Sequence, residues 1–210
     1  MIAQGSIRLL VVDDHLPFRL GMVAMLNDEP DMRVVADARD GMEAIALYRT
    51  HCPDVVLMDL RLPGMSGVET TLALREEFPT CRIIVITTFD GDEDIYRALQ
   101  SGAQSYLLKD MLAEEMIGVI RSVQAGKPQI PAAVAGRLAE RMRRPELTAR
   151  EHEVVHLLVR GRSNKEMATH LGVSEETVKT HLKGLFVKLG VRDRTQAAIY
   201  ALQHGIVHLD

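Results

Sequence analysis

The chain predicts an α/β fold, a doubly wound parallel sheet of five βα units, followed by a second, smaller all-α unit. Three observations carry that prediction. Over residues 1–127 short apolar runs alternate with segments of helical period, the rhythm of a βα-repeating sheet covered on both faces. Two of the runs, 55–58 and 82–86, are almost wholly apolar, as central parallel strands should be. From residue 146 onward only helical signals remain.

Strands are expected at Ile7–Val12, Met32–Ala38, Val55–Met58, Arg82–Thr87 and Ser105–Leu108, with helices beginning near Leu16, Gly41, Gly67, Asp92 and Leu112. The stretch from Gly126 to Pro145 contains Pro128, Pro131 and Pro145 and reads as a linker, partly helical over Ala132 to Arg144. Its arginines, Arg137, Arg141, Arg143 and Arg144, read first as a solvated face, with phosphate contact as the sharper alternative. Beyond it, Thr148 with Glu151 and Ser163 with Glu166 fit capping boxes, and Ser174 opens a helix whose first turn holds Glu175 and Glu176. Gly161 and Gly172 stand where helices should stop, and a fourth helix is expected from Arg194 to Gln203. The domains are therefore 1–125, a linker over 126–145, and 146–210.

Composition sets limits on function. With 47% hydrophobic and 26% charged residues, the chain has a soluble protein's balance. No apolar stretch reaches the roughly 18 residues of a membrane span and the N-terminus lacks a signal-like pattern, so a cytoplasmic protein without membrane contact is expected. Cys52 and Cys81 have no metal-site spacing and are expected to be free thiols. The net charge of −4 hides a division: residues 1–127 hold 12 Lys+Arg against 20 Asp+Glu, net −8, whereas residues 128–210 hold 13 against 9, net +4. The second part suits a polyanion, and binding as a dimer would strengthen so modest a charge.

The chemistry concentrates at strand ends. IRLLVV ends in Asp13 and Asp14, and VVLM ends in Asp59 before the turn-rich LRLPGMSG. If the first and third strands are neighbours, as in a flavodoxin-like order, the loops after them splay apart at the switch point and these acids meet. Three clustered carboxylates repel, and their oxygen-rich setting points to Mg2+. Thr87, closing IIVIT, offers a hydroxyl, and Lys109, closing SYLLK, a compact positive charge, both suited to phosphoryl oxygens. Each acid alone reads as a turn residue or cap, and Asp14 is a candidate cap for the first helix.

Together, DD at 13–14, D at 59, T at 87 and K at 109 closely resemble the receiver domain of two-component response regulators over residues 6–125. The resemblance implies that Asp59 accepts a phosphoryl group from a sensor histidine kinase. It further implies that Asp14 and Asp59 hold Mg2+ directly, with Asp13 acting through water and Arg61 through its carbonyl. Thr87 and Lys109 would bind the new phosphoryl oxygens, and Tyr106 would be the aromatic that turns inward as Thr87 moves. An ordinary half-buried strand aromatic is the plainer reading of Tyr106. Two positions depart from the pattern. Asp110 follows Lys109 where many receivers carry a proline after a cis bond, and DDHLPFR at 13–19 has its proline one residue later than DDHPLFR.

In the helical part, Val178, Leu182, Leu185, Phe186 and Leu189 fall on one side of a helix, and Glu176, Lys179, Thr180 and Lys183 on the other. With the preceding short helix Asn164–Leu171 and the turn Gly172-Val173-Ser174 this reads as a helix-turn-helix, whose second helix enters the major groove. LTAREHEV, GRSNKEMA and LGVSEETVKTHLKGLFVKLGVRDRTQA strongly resemble the LuxR-type helix-turn-helix of NarL/FixJ-family regulators. That resemblance implies base contacts from Lys179, Thr180 and Lys183 and backbone proximity for Thr177, His181 and Lys188. The expected function is phosphorylation-controlled, sequence-specific binding of double-stranded DNA to regulate transcription, as a homodimer when phosphorylated and with RNA polymerase as a further partner. The expected chemistry is that of a phosphoryl acceptor with at most slow self-dephosphorylation, not an enzyme. The alternatives are a phosphorylation-independent DNA-binding protein with a vestigial receiver, and a phosphatase of the haloacid dehalogenase type. The latter requires an acid where Arg61 stands.

Overall fold

A computed structural model describes residues 5–209. The described residues divide into two compact units, 5–89 with 95–135, and 90–94 with 136–209.

In the first unit five parallel strands, β1 (Ile7–Val12), β2 (Met32–Ala38), β3 (Val55–Met58), β4 (Ile83–Thr87) and β5 (Ser105–Leu108), form one sheet in the order β2-β1-β3-β4-β5. Helices α1 (Leu16–Asp28), α2 (Gly41–His51), α3 (Gly67–Glu77), α4 (Asp92–Gln100) and α5 (Ala113–Gln124) follow the strands in turn. Every residue of β3 and β4 is buried, as the apolar runs predict. Two apolar layers result: Leu9, Val11, Leu57 and Ile84 pack with Leu26 and Ile120, and Leu10, Val12, Val56 and Met58 pack with Ala44 and Leu74. Alternate residues of each strand serve opposite layers because side chains reverse face at every step.

The start of α1 is capped by His15 backbone without a side-chain bond, with Pro17 in the first turn, so Asp14 is not its cap. A capping box not anticipated from the sequence opens α3, where Ser66 and Glu69 satisfy each other's backbone N–H groups. No described peptide bond is cis; Lys109–Asp110 is trans, consistent with the ~2.5–4 kcal/mol cost of a non-proline cis bond.

The second unit contains α6 (Ala132–Arg143) from residue 136 onward, α7 (Ala149–Val159), α8 (Asn164–Leu171), α9 (Glu175–Leu189) and α10 (Arg194–Gln203). Val154, Leu158, Met167, Val178, Leu185 and Ala201 form its core. The capping boxes at Thr148/Glu151 and Ser163/Glu166 are both present. Two linker arginines depart from the solvated-face reading, Arg141 buried against Glu93 and Arg144 paired with Asp92, whereas Arg143 and Arg137, the latter bridging to Asp90 at 2.7 Å, are exposed as that reading has them. The acid run that closes this unit lies some fifty residues upstream, a distance over which helical periodicity carries no information.

Gly67 shows how the fold shapes the site loop. A Cβ there would lie 2.0 Å from the Asp59 carbonyl oxygen and 2.8 Å from Leu60 Cα, while its N–H donates to the Leu60 carbonyl at 2.9 Å. Close approach, and not an unusual φ, is what demands glycine. Gly67→Ala is expected to destabilise the first unit by about 1–3 kcal/mol, read as an earlier denaturant midpoint for that unit with the helical unit's transition unchanged.

Candidate functional site

Register brings the site together. Val12 pairs with Met58 across β1 and β3, and Thr87 with Leu108 across β4 and β5, so the residues that follow emerge side by side at the C-terminal edge. The Asp59 N–H donates to the Val12 carbonyl at 2.9 Å, and the Lys109 N–H to the Thr87 carbonyl at 2.9 Å. Carboxylate oxygens of Asp13, Asp14 and Asp59 lie within 4.8 Å of one another. Asp13 and Asp59 are buried, whereas Asp14 is exposed. All three predicted acids therefore meet, and as hard oxygen donors they form a set that can hold a metal ion.

The Lys109 ammonium spans the two buried acids, 2.6 Å from Asp13 Oδ2 and 2.7 Å from Asp59 Oδ2. Burial pushes Asp59's pKa up, and this outweighs the hydrogen bond and charge of Lys109 that pull it down; Asp13 adds to the rise, while Thr87 hydrogen bonding lowers it. For Lys109 burial works against the ammonium, yet hydrogen bonds and charges from Asp13 and Asp59 prevail and its pKa is raised. The ionised Asp59 is thus only partly compensated, a strained carboxylate that a further cation would favour.

Thr87 is fully buried, its hydroxyl accepting the Phe89 N–H at 3.4 Å. Tyr106 is not half-buried, as the plain strand reading has it, but fully buried, with its hydroxyl donating to the Phe89 carbonyl at 2.7 Å. Thr87 and Tyr106 thereby hold the main-chain N–H and carbonyl of one residue, Phe89. The Arg61 N–H approaches Asp59 Oδ1 at 3.4 Å. Three contributors escaped the sequence reading: Phe18, whose ring lies 4.5 Å beneath the Lys109 ammonium; Phe89, which carries the Arg61 guanidinium at 4.4 Å; and Gly67. Only Gly67, at the end of the turn-rich loop, left a signal in the sequence.

In the second unit α8 and α9 are joined through Gly172 in the left-handed region, φ +66°, where glycine avoids a Cβ clash. Ser174 caps α9. Val178, Leu182, Leu185 and Leu189 are buried, while Glu176, Lys179, Thr180 and Lys183 are exposed, the division the periodicity predicts. Lys179 pairs with Glu176 at 3.0 Å, and the Thr180 hydroxyl donates to the Glu176 carbonyl at 3.0 Å. Thr177 is half-buried and hydrogen-bonded to Ser174, and His181 is half-buried. Lys188 has a partner within its own unit: its ammonium lies 2.6 Å from the buried Glu151 and 2.9 Å from the Glu146 carbonyl.

Comparison with known proteins agrees with this geometry. Residues 9–121 match the response regulator receiver domain, and residues 145–201 match the bacterial regulatory proteins of the luxR family. The chain is 40% identical to the transcriptional regulatory protein LiaR of Bacillus subtilis (strain 168), over 96% of this chain and 100% of LiaR. It is 37% identical to the response regulator protein VraR of Staphylococcus aureus, over 96% and 99%. Among solved structures, the response regulator ChrA of a heme-sensing two-component system shares 36% identity with a TM-score of 0.59, over 97% of this chain and 100% of that one. RcsB from Salmonella enterica serovar Typhimurium, 23% identical with a TM-score of 0.73 over 94% and 98%, shares the fold. An acidic α/β unit followed by a helix-turn-helix unit defines a two-domain signalling regulator of transcription. This chain belongs to the response regulators that join a receiver domain to a LuxR-type DNA-binding domain.

The sign of the Asp59 shift fixes a pH dependence. Its proton is held more tightly in the folded state than at the ordinary value of 3.8, so its contribution favours folding at low pH and is lost as pH rises through the raised folded value. Metal-free Asp59→Asn should therefore melt above wild type at neutral pH, the gap closing as pH falls through that value. Mg2+ at a hundred times its Kd should stabilise wild type by about 2.7 kcal/mol and the variant far less, both read from thermal midpoints.

Proposed function

We propose that Asp59 is the phosphoryl acceptor of this response regulator, and that its phosphorylation by a sensor histidine kinase controls homodimerisation and sequence-specific binding to double-stranded DNA. The observation that carries the reading is the convergence of buried Asp59 with Asp13, Asp14 and Lys109, the ammonium standing 2.7 Å from Asp59 Oδ2. A carboxylate oxygen of Asp59 forms the new P–O bond as the P–N bond to the donor's imidazole breaks. Lys109 would leave the carboxylate and pair with a phosphoryl oxygen, and the Thr87 hydroxyl would donate to another. Asp13, Asp14, Asp59 and the Arg61 carbonyl would hold Mg2+, which when bound supplies charge neutralisation for both the carboxylates and the phosphoryl oxygens. On this reading the site is a phosphoryl acceptor and not an enzyme, with at most slow self-dephosphorylation.

The output lies at α9. Phosphorylation shifts an equilibrium toward the DNA-binding dimer, and hydrogen bonding of Thr87 and Tyr106 to Phe89 supplies the residues that would sense the new group. Lys179, Thr180 and Lys183 would reach base edges, and Thr177, His181 and Lys188 the backbone, Lys188 exchanging Glu151 for phosphate. A cytoplasmic location and RNA polymerase as a further partner complete the reading; no helix among the described residues is long and apolar enough to cross a membrane.

Beryllofluoride with Mg2+ is expected to tighten binding to a duplex selected from a random pool, measured by gel shift, and to leave Asp59→Asn unaffected. Equal affinity with and without the mimic, its occupancy verified, would favour phosphorylation-independent DNA binding. Lys179→Ala should weaken the selected duplex by about 1–3 kcal/mol more than random DNA. Equal losses on both would reassign Lys179 to the backbone.

A further inference from the structure

One residue outside the acid cluster reaches it through the main chain of Asp13. Arg19 lies in α1 with only 12% of its side chain exposed. Its Nη1 donates to the main-chain carbonyl of Asp13 at 2.5 Å, and its Nε donates to Asp37 Oδ2 at 2.8 Å. Asp37 sits on β2 in register with Val11, so the guanidinium ties the loop leaving β1 to the neighbouring strand.

We propose that Arg19 is a positioning residue for the metal-binding loop: bridging the Asp13 carbonyl and the Asp37 carboxylate, it fixes the Asp13–Asp14 peptide and so aims the Asp14 carboxylate. The proposal rests on the reading of Asp13, Asp14 and Asp59 as Mg2+ ligands. Asp13 is held from its other atoms as well: its N–H donates to the Ala38 carbonyl at 3.0 Å, Oδ1 accepts the His15 N–H at 2.9 Å, and Oδ2 meets Lys109. Its carbonyl is the remaining handle, and it belongs to the peptide whose rotation swings Asp14. Among the described residues no hydrogen bond restrains the exposed Asp14 carboxylate itself. The neighbouring helix start offers little alternative, because its cap residue His15 makes no side-chain cap bond. The Arg19 N–H closes the first turn on the His15 carbonyl at 3.0 Å, which anchors its backbone while its side chain returns to the loop.

Arginine suits the task by shape more than by charge. A planar fork reaches a carbonyl and a carboxylate together, whereas a lysine ammonium is a point donor on a flexible stem. The sign of the effect separates the two contributions. A guanidinium near a divalent cation repels it, so removing the charge alone would tighten Mg2+ binding. Loss of positioning weakens it, and outer-shell partners of this kind change metal affinity by about 10–100-fold.

The test is isothermal titration of the full chain with Mg2+, alongside thermal midpoints of the metal-free proteins, for wild type, Arg19→Gln, Arg19→Lys and Asp37→Asn. Arg19→Gln is expected to raise the Mg2+ Kd about tenfold or more. Arg19→Lys should also raise it despite the retained charge, and Asp37→Asn, which frees only the far end of the bridge, should raise it less. Should Arg19→Gln fail to fold cooperatively, Asp37→Asn carries the test. Unchanged or tighter Mg2+ binding in the folded variants would overturn the positioning role, whatever their thermal midpoints do. Absence of Mg2+ binding by wild type would overturn the metal reading itself and this proposal with it.

Discussion

Carboxylates of Asp13, Asp14 and Asp59 lie within 4.8 Å of one another at the edge of a buried sheet, and the first unit is organised around that repulsion. The strand order β2-β1-β3-β4-β5 makes β1 and β3 neighbours, so two acid-ended strands open at one place. Lys109 arrives from the far strand to span the two buried acids. Its position costs desolvation, and so does that of Asp59, whose pKa burial drives upward. A site balanced in this way responds to any change in its charge, the property a switch requires. Close by, Thr87 and Tyr106 hydrogen-bond to the two main-chain polar groups of Phe89.

The helical unit is built on a different balance. Glu151 caps α7 through Thr148, and at the same time its buried carboxylate receives the Lys188 ammonium from α9. The pKa of Glu151 is lowered despite burial by Lys188 and by the hydrogen bonds of Thr148. One carboxylate thereby joins the start of α7 to the last turn of α9. This leaves Lys179, Thr180 and Lys183 on the exposed side, at a set orientation to the core that Val178, Leu182 and Leu185 anchor. A helix that reads DNA must be rigid in this sense, because base contacts reward placement over charge alone.

Much of this was legible in the sequence, for identifiable reasons. Strand ends could be placed because apolar runs stop abruptly at Asp13, Asp59, Thr87 and Lys109, and parallel register then aligns them. The α9 faces followed from periodicity, and the capping boxes at Thr148 and Ser163 from local spacing. What remained hidden depends on side chains reaching across the fold. The burial of Arg141 against Glu93, the pairing of Lys188 with Glu151 and the Phe18 ring beneath Lys109 join residues tens of positions apart. Local spacing left one choice open: Asp14 is a good cap by type, yet the chain turns one residue later at His15, and Asp14 lies with the other acids.

The central claim is that this acid cluster exists to make Asp59 a phosphoryl acceptor. It is tested most directly by incubating the full chain with acetyl phosphate and Mg2+ and measuring its intact mass. The account predicts a gain of one phosphoryl group that hydroxylamine removes, that requires Mg2+, and that Asp59→Asn does not acquire. A wild-type chain that stays unmodified under these conditions, or an Asp59→Asn variant modified to the same extent, would contradict it.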